Sequence, residues 1–157
     1  LHFDAHPDLY QDFENNPHSH ASPFARVLEE KLADRLVQVG IRANNDHQRE
    51  QIRKYKVETY EMKDWRDDVV FEFDMPVYIS FDLDGLDPSC APGVAHPEGG
   101  GLTVRQAVRL IQTLKAKVIG ADIVELLPEK DSLGITAAGA AKILKEIAGK
   151  IIASIKA

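Results

Sequence analysis

The feature that most restricts the fold of this chain is the alternation of short, β-favouring apolar runs with segments of helical periodicity. The clearest run covers residues 77–81, Val-Tyr-Ile-Ser-Phe, and a second run covers residues 118–127. Continuous apolar runs are typical of parallel strands that are buried on both faces, and the helices between them supply the crossover connections. The sequence therefore predicts an α/β protein with three layers, α/β/α, around a mostly parallel sheet.

The same patterns give approximate bounds for the elements. Ser22 followed by Pro23 predicts a helix start, because Ser is a favoured cap and Pro a favoured first-turn residue, and Thr103 predicts another. Strands are expected over residues 1–4, 35–41, 57–62, 77–81 and 118–127, and further helices over residues 46–55 and about 136–155. The last helix is expected to bury one apolar face, made of Ile143, Leu144, Ile147, Ile151, Ile152 and Ile155. Residues 1–157 are expected to form a single domain.

Composition excludes several classes of function. The net charge of −6 argues against a nucleic-acid partner, because phosphate neutralisation requires clustered Lys and Arg. No apolar run approaches the roughly 20 residues of a membrane span, so no membrane partner is expected. Cys90 is the single cysteine and has no internal disulfide partner, which favours a reducing compartment and predicts a cytoplasmic location.

The first residues indicate that the chain is part of a longer one. It opens directly on Leu1-His2-Phe3-Asp4, without an initiator Met, and these residues have the pattern of the end of a buried strand. We therefore expect residues 1–157 to be the C-terminal portion of a domain whose N-terminal part is missing.

Acidic residues follow three of the predicted strands at or near the point where each strand ends. They belong to the segments Asp4-Ala5-His6-Pro7-Asp8 and Asp82-Leu83-Asp84-Gly85-Leu86-Asp87-Pro88, and to Glu125. Ligands of open parallel sheets bind outside the carboxyl ends of the strands, and alternate residues of an extended chain share one face. The side chains expected to converge are those of Asp4, His6, Asp8, Asp82 and Asp84.

This clustering of acidic side chains predicts a metal site. Carboxylates gathered at the edge of an apolar sheet repel one another and lose hydration, unless cations neutralise them. Oxygen-rich ligation with a minority of imidazole suits a hard ion such as Mn²⁺. A single D-x-D after a strand is more often a turn or a helix cap, but two acidic motifs at two strand ends favour metal binding.

On these motifs the chain resembles the ureohydrolase family, which includes arginases and agmatinases, and above all its plant-type arginases and their bacterial relatives. The matching segments are D-A-H-P-D (4–8), S-H-A-S-P-F (19–24), V-G-I-R (39–42), S-F-D-L-D-G-L-D-P (80–88), A-P-G-V-A-H-P-E-G-G-G-L-T (91–103) and D-I-V-E (122–125). The resemblance implies an arginase-like fold and Mn²⁺-dependent hydrolysis of a guanidino group to urea and an amine. The implied substrate is L-arginine, which would give L-ornithine and urea.

The resemblance also implies a role for each metal-ligating residue. Asp4 and Asp82 correspond to the carboxylates that bridge two Mn²⁺ ions, Asp8 to a ligand of the first ion, and His6 and Asp84 to ligands of the second. A water molecule held by both ions would be the nucleophile, because metal binding lowers its pKa towards neutrality. The family's upstream G-G-D-H motif, whose His completes the ligands of the first ion, is absent from this sequence.

Further implied roles concern catalysis and substrate binding. His20 matches a histidine that shuttles protons, a task that suits an imidazole with a pKa near roughly 6.5. Glu125 matches a glutamate that pairs with the planar guanidinium through two parallel hydrogen bonds. The residues of the loop 9–19 that are expected to contact the substrate are Asn15, Asn16 and Ser19.

The sequence leaves alternatives open for both the substrate and the class of function. Ala43 stands where animal arginases have an Asp that holds the substrate's α-amino group, so agmatine or another guanidino compound is the alternative substrate. The alternative classes are an inactive subunit kept for binding or assembly, and a different metallohydrolase on the same scaffold. Family members are usually trimers or hexamers, so a homo-oligomer is expected. His2 and His47 are interpreted as non-catalytic, and the role of His96 is left open.

Overall fold

The computed structural model describes residues 1–156. Its strands are β1 (His2–Phe3), β2 (Val37–Ile41), β3 (Glu58–Glu61), β4 (Val77–Asp82) and β5 (Val118–Val124). Its α-helices are α1 (Pro23–Glu29), α2 (Asp46–Tyr55), α3 (Val104–Thr113) and α4 (Ile135–Lys156). Short 3₁₀ turns cover Met62–Asp64, Leu83–Gly85 and Pro128–Lys130. Within this described range, no helix has the combination of length and apolar character that a membrane crossing needs.

The strands form one parallel sheet in the order β3-β2-β1-β4-β5. The short strand β1 lies in the centre, where His2 pairs with Gln38 of β2 on one side and with Ser80 of β4 on the other. The ends of β1 and β4 are therefore neighbours, so the residues that follow the two strands emerge side by side. The predicted α/β fold with a parallel sheet and flanking helices is confirmed.

One face of the sheet carries the larger hydrophobic core. Phe3, Val39 and Phe81 are fully buried there, and the rings of Phe3 and Phe81 stack with their centroids 4.8 Å apart. The same cluster includes side chains of α3 and α4, namely Ala107, Val108, Leu110, Ile111, Ile143 and Ile147. Burial of each large apolar side chain contributes about 1.5–3 kcal/mol, so this core holds the central strands in place.

The opposite face is covered only in part by the described residues. Leu9, Leu36 and Val57 form a second, smaller cluster with side chains of α1 and α2, namely Phe24, Leu28, Ile52 and Tyr55. Tyr78 of β4 and Ile119 of β5 are more than half exposed, at 51% and 59%. These two side chains form part of the wall of an open cleft that continues to the ends of the strands.

The predicted bounds of α2 and the predicted start of α3 are confirmed, whereas the apolar face of α4 is only partly as expected. The hydroxyl of Thr103 accepts a hydrogen bond from the N–H of Gln106 at the start of α3. Ile143 and Ile147 are buried in the core, but three predicted core residues are exposed, namely Leu144, Ile152 and Ile155. These three lie beside the stripe that faces α3 and β5, and a helix packed on one side buries only one such stripe.

The predicted start of α1, with Ser22 at the N-cap and Pro23 in the first turn, is confirmed, but the side chain of Ser22 does not make the expected capping hydrogen bond. Its hydroxyl is buried and makes no hydrogen bond to the described residues. The N–H of Phe24 in the first turn donates instead to the carbonyl oxygen of Asp8, at 3.2 Å. An unpaired backbone donor at a helix start can be satisfied by any well-placed acceptor, and here the acceptor belongs to the D-A-H-P-D segment.

The strand β5 ends three residues before its predicted end at Leu127. The reason is the backbone of Glu125, which has a φ of 67° and therefore turns the chain out of the sheet. A left-handed conformation costs a residue with a side chain about 1–2 kcal/mol, and such outliers persist where the surrounding structure holds them. Asp8 has the same kind of backbone, with a φ of 52°.

Candidate metal centre

The two acidic segments meet where β1 and β4 end. The side chain of Asp82 accepts a hydrogen bond from the N–H of Asp84 at 2.8 Å, which folds the residues after β4 into a 3₁₀ turn. Asp84 then reaches across to the other segment, where its Oδ1 accepts a hydrogen bond from the N–H of Ala5 at 3.1 Å. The predicted neighbourhood of the two segments is thus present in the structure.

Two glycines let the three strand ends approach closely around Asp4. A Cβ on Gly85 would lie 2.8 Å from the backbone N of Asp4, and a Cβ on Gly40 would lie 2.9 Å from its carbonyl oxygen. Gly40 also has a φ of 99°, a conformation that residues with side chains rarely adopt. The backbone of Asp4 is therefore held between the end of β2 and the turn after β4.

The tightest set of ligand atoms consists of Asp4, His6 and Asp84, each of which offers one atom within 4.8 Å of the others. Nδ1 of His6 lies 3.1 Å from Oδ2 of Asp84 and 3.4 Å from Oδ1 of Asp4. Both carboxylates are buried, while His6 is one-quarter exposed on the cleft side. Two carboxylates and an imidazole form a donor set that suits a divalent cation such as Mn²⁺.

Asp8 and Asp82 face the same cleft and are electrostatically part of the same group. Burial, followed by the charges of Asp4 and Asp84, raises the pKa of Asp82 to about 10. Burial and then the charge of Asp4 raise the pKa of Asp8 to about 9. The protein's own groups therefore do not balance these carboxylates, and a bound cation would stabilise their ionised forms.

His6 supplies a second sign of the same imbalance. Burial opposes the charged imidazolium, but the hydrogen bonds to Asp4 and Asp84 outweigh it and raise the pKa of His6 to about 10. The surrounding carboxylates thus favour positive charge between them. Both the donor set and the charge of the site fit the metal centre that the motifs predict.

Arg42 holds the turn after β4 without neutralising its carboxylates directly. Its guanidinium donates to backbone carbonyl oxygens, among them those of Asp84 at 2.7 Å and Gly40 at 2.8 Å. It also donates to the carbonyl of Glu98 at 2.7 Å, so one side chain joins three segments around the site. The V-G-I-R match gave no indication of this role, because it depends on contacts between segments that are distant in sequence.

The mouth of the cleft is lined by imidazole rings and one acidic side chain. The rings of His20 and His96 are nearly parallel with their centroids 5.9 Å apart, and the ring of His96 lies 6.4 Å from that of His6. Oε1 of Glu98 is 3.9 Å from Nε2 of His6. Glu125 lines the same cleft, whose volume is about 1140 Å³. His20 and Glu125 thus line the same cleft as Asp4, His6 and Asp84, and their roles stay predictions.

The three predicted substrate contacts of the loop 9–19 lie elsewhere. Asn16 accepts a hydrogen bond from the N–H of His18 through its side chain, and the hydroxyl of Ser19 accepts one from Ala21. Asn15 is exposed, and none of Asn15, Asn16 and Ser19 is among the described residues that line the cleft. Their part in substrate binding stays a prediction. The residues of this loop that line the cleft are Tyr10 and Phe13.

Two buried polar residues next to Asp4, His2 and Gln38, were not singled out as functional by the sequence. His2 lies at 2% exposure, with Nε2 2.9 Å from Oδ2 of Asp4, and burial lowers its pKa to about 3. Gln38 contacts the other nitrogen of the same ring at 3.1 Å. The only sequence signal for these two residues was that each is a polar residue within an apolar strand, β1 or β2. His47, in contrast, stacks on Tyr10 at the protein surface.

The fold and the site together define a parallel α/β protein in which carboxylate and imidazole side chains that could hold a metal ion gather at the ends of the strands. The family model described as "Arginase family" matches residues 1–149. The mitochondrial arginase of Medicago truncatula is 52% identical over 159 residues, which cover 96% of this chain and 47% of the relative. The chain belongs to the arginase family.

Two further comparisons support the family and show its breadth. The solved structure of arginase from Medicago truncatula matches with a TM-score of 0.90 and 49% identity, over 96% of this chain and 50% of that chain. N(1)-aminopropylagmatine ureohydrolase from Thermus thermophilus is 41% identical over 136 residues, which cover 82% of this chain and 46% of the relative. The chain spans about half the length of the relatives that it matches.

Proposed function

We propose that the protein containing this chain is a Mn²⁺-dependent ureohydrolase that cleaves a guanidino group to urea and an amine. The observation that carries this proposal is the convergence of Asp4, His6 and Asp84 within 4.8 Å, with Asp8 and Asp82 facing the same cleft. These five residues would hold two Mn²⁺ ions, with Asp4 and Asp82 shared between them. When bound, the ions would supply a water molecule acidic enough to act as a nucleophile near neutral pH.

Glu125 is proposed to orient the substrate. A carboxylate and a planar guanidinium form two parallel hydrogen bonds, which fix both the position and the plane of the carbon that is attacked. The left-handed backbone of Glu125 turns the chain out of β5 at this residue, and the residue lines the cleft. Its strained conformation supports a functional role, since strain of this kind clusters at functional sites.

His20 is proposed to carry protons between solvent and the site. It is exposed and lines the cleft, so its ring can exchange protons both with bulk water and with a molecule bound in the cleft. An imidazole takes up and releases protons near neutral pH, and the departing amine requires a proton. His96 lies beside it and would share the same solvent-facing position.

L-Arginine is the proposed substrate, because relatives at about half identity over almost the whole chain bear the name arginase. One observation favours a substrate without an α-amino acid group. Ala43 lines the cleft and offers no polar side chain there. Agmatine or an N-substituted agmatine is therefore the second candidate, in line with the name of the Thermus thermophilus relative.

Urea release is the experiment that tests the activity. Purified protein with Mn²⁺ should release urea from one of L-arginine, agmatine and N-substituted agmatine, and the ratio of the kcat/KM values identifies the substrate. Asp82→Ala should abolish release, whereas Asp12→Ala removes an exposed carboxylate of the neighbouring loop and should not. Absence of urea from every guanidino compound would refute the proposal and favour an inactive subunit or another metallohydrolase.

We also propose the extent of the domain, a further metal ligand, an oligomeric state and a location for this protein. Residues 1–157 would be the C-terminal portion of one ureohydrolase domain, which is supported by the half-length coverage of the relatives and by the exposed Tyr78 and Ile119 on the sheet. An upstream His would complete the ligands of the first Mn²⁺. A homo-oligomer, trimer or hexamer, and a cytoplasmic location stay predictions, and the Medicago truncatula relative is named mitochondrial.

A further inference from the structure

Buried hydrogen bonds link Asp4 to His2, which also lines the cleft, and His2 to Gln38 of β2. Nε2 of His2 lies 2.9 Å from Oδ2 of Asp4, and Nδ1 of the same ring lies 3.1 Å from Nε2 of Gln38. The amide nitrogen of Gln38 also donates to the carbonyl oxygen of Pro7, at 2.6 Å. His2 is 2% exposed and Gln38 is fully buried, so water does not compete for these contacts.

The donor and the acceptor of each of these hydrogen bonds follow from the chemistry of the Pro7 carbonyl. The carbonyl of Pro7 can only accept, so the amide NH₂ of Gln38, and not its oxygen, must face it. The second N–H of the same NH₂ then points to Nδ1 of His2, which must present its lone pair. The proton of the neutral ring therefore lies on Nε2, and His2 donates to Asp4.

This orientation of the amide leaves its oxygen without a partner. Oε1 of Gln38 is buried and has no hydrogen-bond partner among the described residues. A buried polar atom without a partner is unfavourable, and the opposite orientation would place this oxygen against the carbonyl of Pro7. The two hydrogen bonds from the Gln38 amide, to Pro7 and His2, therefore outweigh the cost of its unpaired oxygen.

The consequence for Asp4 is that both of its carboxylate oxygens are fixed by the protein. Oδ2 accepts from His2, and Oδ1 accepts from the N–H of His6 at 2.6 Å. The ring of His2 is itself held by Phe24, whose centroid is 3.8 Å away. Rotation of the Asp4 carboxylate would break one of these hydrogen bonds, so its plane is set before any cation binds.

We infer that His2 and Gln38 are positioning residues that set the affinity of the site for its divalent cations. His2 orients Asp4, and Gln38 couples that orientation to Pro7, which lies between the ligands His6 and Asp8. Partners that hold metal ligands from behind commonly affect metal affinity by roughly 10–100-fold. This inference rests on the proposed function only in taking Asp4 as a ligand of a divalent cation.

Mn²⁺ affinity tests this inference independently of activity. Mn²⁺ is titrated into the natural full-length protein and into two His2 variants. Free Mn²⁺ is measured at each step by its electron paramagnetic resonance signal. His2→Phe keeps a ring against Phe24 but removes the donor, and it should weaken affinity by roughly 10–100-fold. His2→Gln can place an amide N–H near the position of Nε2, and it should restore most of the affinity.

Gln38→Leu provides the second test and remains informative if His2→Phe fails to fold. It keeps a similar volume but removes both N–H donors, so it should also weaken Mn²⁺ binding and change the visible absorption of the Co²⁺-loaded protein. His47→Phe changes a surface imidazole that stacks on Tyr10, and it should leave Mn²⁺ affinity unchanged. Circular dichroism confirms that each variant is folded.

The outcomes separate this inference from the proposed reaction. Wild-type Mn²⁺ affinity in folded His2→Phe or Gln38→Leu would overturn it, and so would equal losses in His2→Phe and His2→Gln, which would indicate packing instead of hydrogen bonding. If the wild-type protein binds Mn²⁺ but releases no urea, the proposed reaction fails while the affinity comparison still decides the role of His2.

Discussion

The backbone N–H of Ala5 donates a hydrogen bond to the carboxylate of Asp84, although the two residues are 79 positions apart in the sequence. Parallel pairing of β1 with β4 makes this contact possible, because it places the ends of both strands at one edge of the sheet. The contact joins two segments that each carry acidic side chains. The proposed chemistry depends on this junction, since neither segment alone has enough ligands for two cations.

Removal of either proposed bridging carboxylate is expected to abolish metal retention and activity together. Asp4→Ala and Asp82→Ala each take away a buried carboxylate. Asp4 lies beside His6, and the charges of Asp4 and Asp84 act on Asp82. Metal content after dialysis, measured by atomic emission, and urea release should both fall to background. Asp12→Ala is the matched control on the exposed loop. Full metal stoichiometry in Asp4→Ala would show that Asp4 does not bridge the ions.

Gly85→Ala is expected to disturb the site through sterics alone. The added Cβ would lie 2.8 Å from the backbone N of Asp4, so either the turn or β1 must move. Overpacking of this kind costs about 1–3 kcal/mol, which chemical denaturation should detect as a lower free energy of unfolding. Mn²⁺ affinity should fall as well.

Gly99→Ala is the control for this substitution, because its Cβ would meet no atom within 4 Å. It should leave both quantities unchanged. Equal stabilities of Gly85→Ala and Gly99→Ala would contradict the tight packing around Asp4.

Two substitutions of Glu125 are expected to have the same effect on activity but different effects on stability. Glu125→Gly and Glu125→Ala both remove the carboxylate, so both should lose most urea release. Because φ is 67° at this position, the Gly variant should be about 0.5–1 kcal/mol more stable than the Ala variant. At Glu129, which is not among the residues with positive φ, Ala should be at least as stable as Gly. The same order at both positions would argue against backbone strain at Glu125.

His20→Ala is expected to slow turnover without loss of metal. Loss of a proton-transfer group typically lowers kcat by about 10²-fold or more, and an exposed site at the cleft mouth should allow partial rescue by added imidazole. His18→Ala removes a neighbouring exposed histidine that is not among the described cleft residues, and it should keep full activity. If both variants turn over at the wild-type rate, His20 is not the proton carrier.

Asp87 should contribute stability that depends on pH. Hydrogen bonds from Ser89, then from Gly100 and Gly101, lower the pKa of Asp87 from 3.8 to about 2. The folded state thus favours the ionised form, so the contribution is complete above pH 3.8 and is lost as pH falls towards 2. The free energies of unfolding of wild type and Asp87→Asn should therefore converge over this range. A constant difference between them would contradict the assignment.

The sequence was sufficient for those parts of the fold that depend on local chemistry. Helix α2 has the predicted bounds because Asn45 caps its start through its side chain and Lys56 ends it in a left-handed conformation. The acidic motifs were placed correctly because apolar runs mark the buried strands, and the strands end where the apolar runs end. The 3₁₀ turn after β4, and not the extended chain that alternate spacing assumes, brings Asp84 against Ala5 and His6.

The rest depends on contacts that spacing does not encode. Left-handed backbones occur at Asp8 and Glu125. Asp adopts this conformation more often than most residues, but nothing in the spacing singled out Asp8, and Glu has no such preference. Arg42 and Gln38 act by hydrogen bonds to carbonyls of distant segments. Ser22 occupies the N-cap position of α1 as predicted, but the carbonyl of Asp8, and not the Ser22 hydroxyl, accepts the hydrogen bond from the first turn.

Diffraction from crystals of the Mn²⁺-loaded protein, recorded at the manganese absorption edge, tests the central claim most directly. We expect two anomalous peaks between the ends of β1 and β4, with oxygens of Asp4 and Asp82 in contact with both ions. Peaks outside the cleft, or Asp4 and Asp82 bound to separate ions, would contradict this claim.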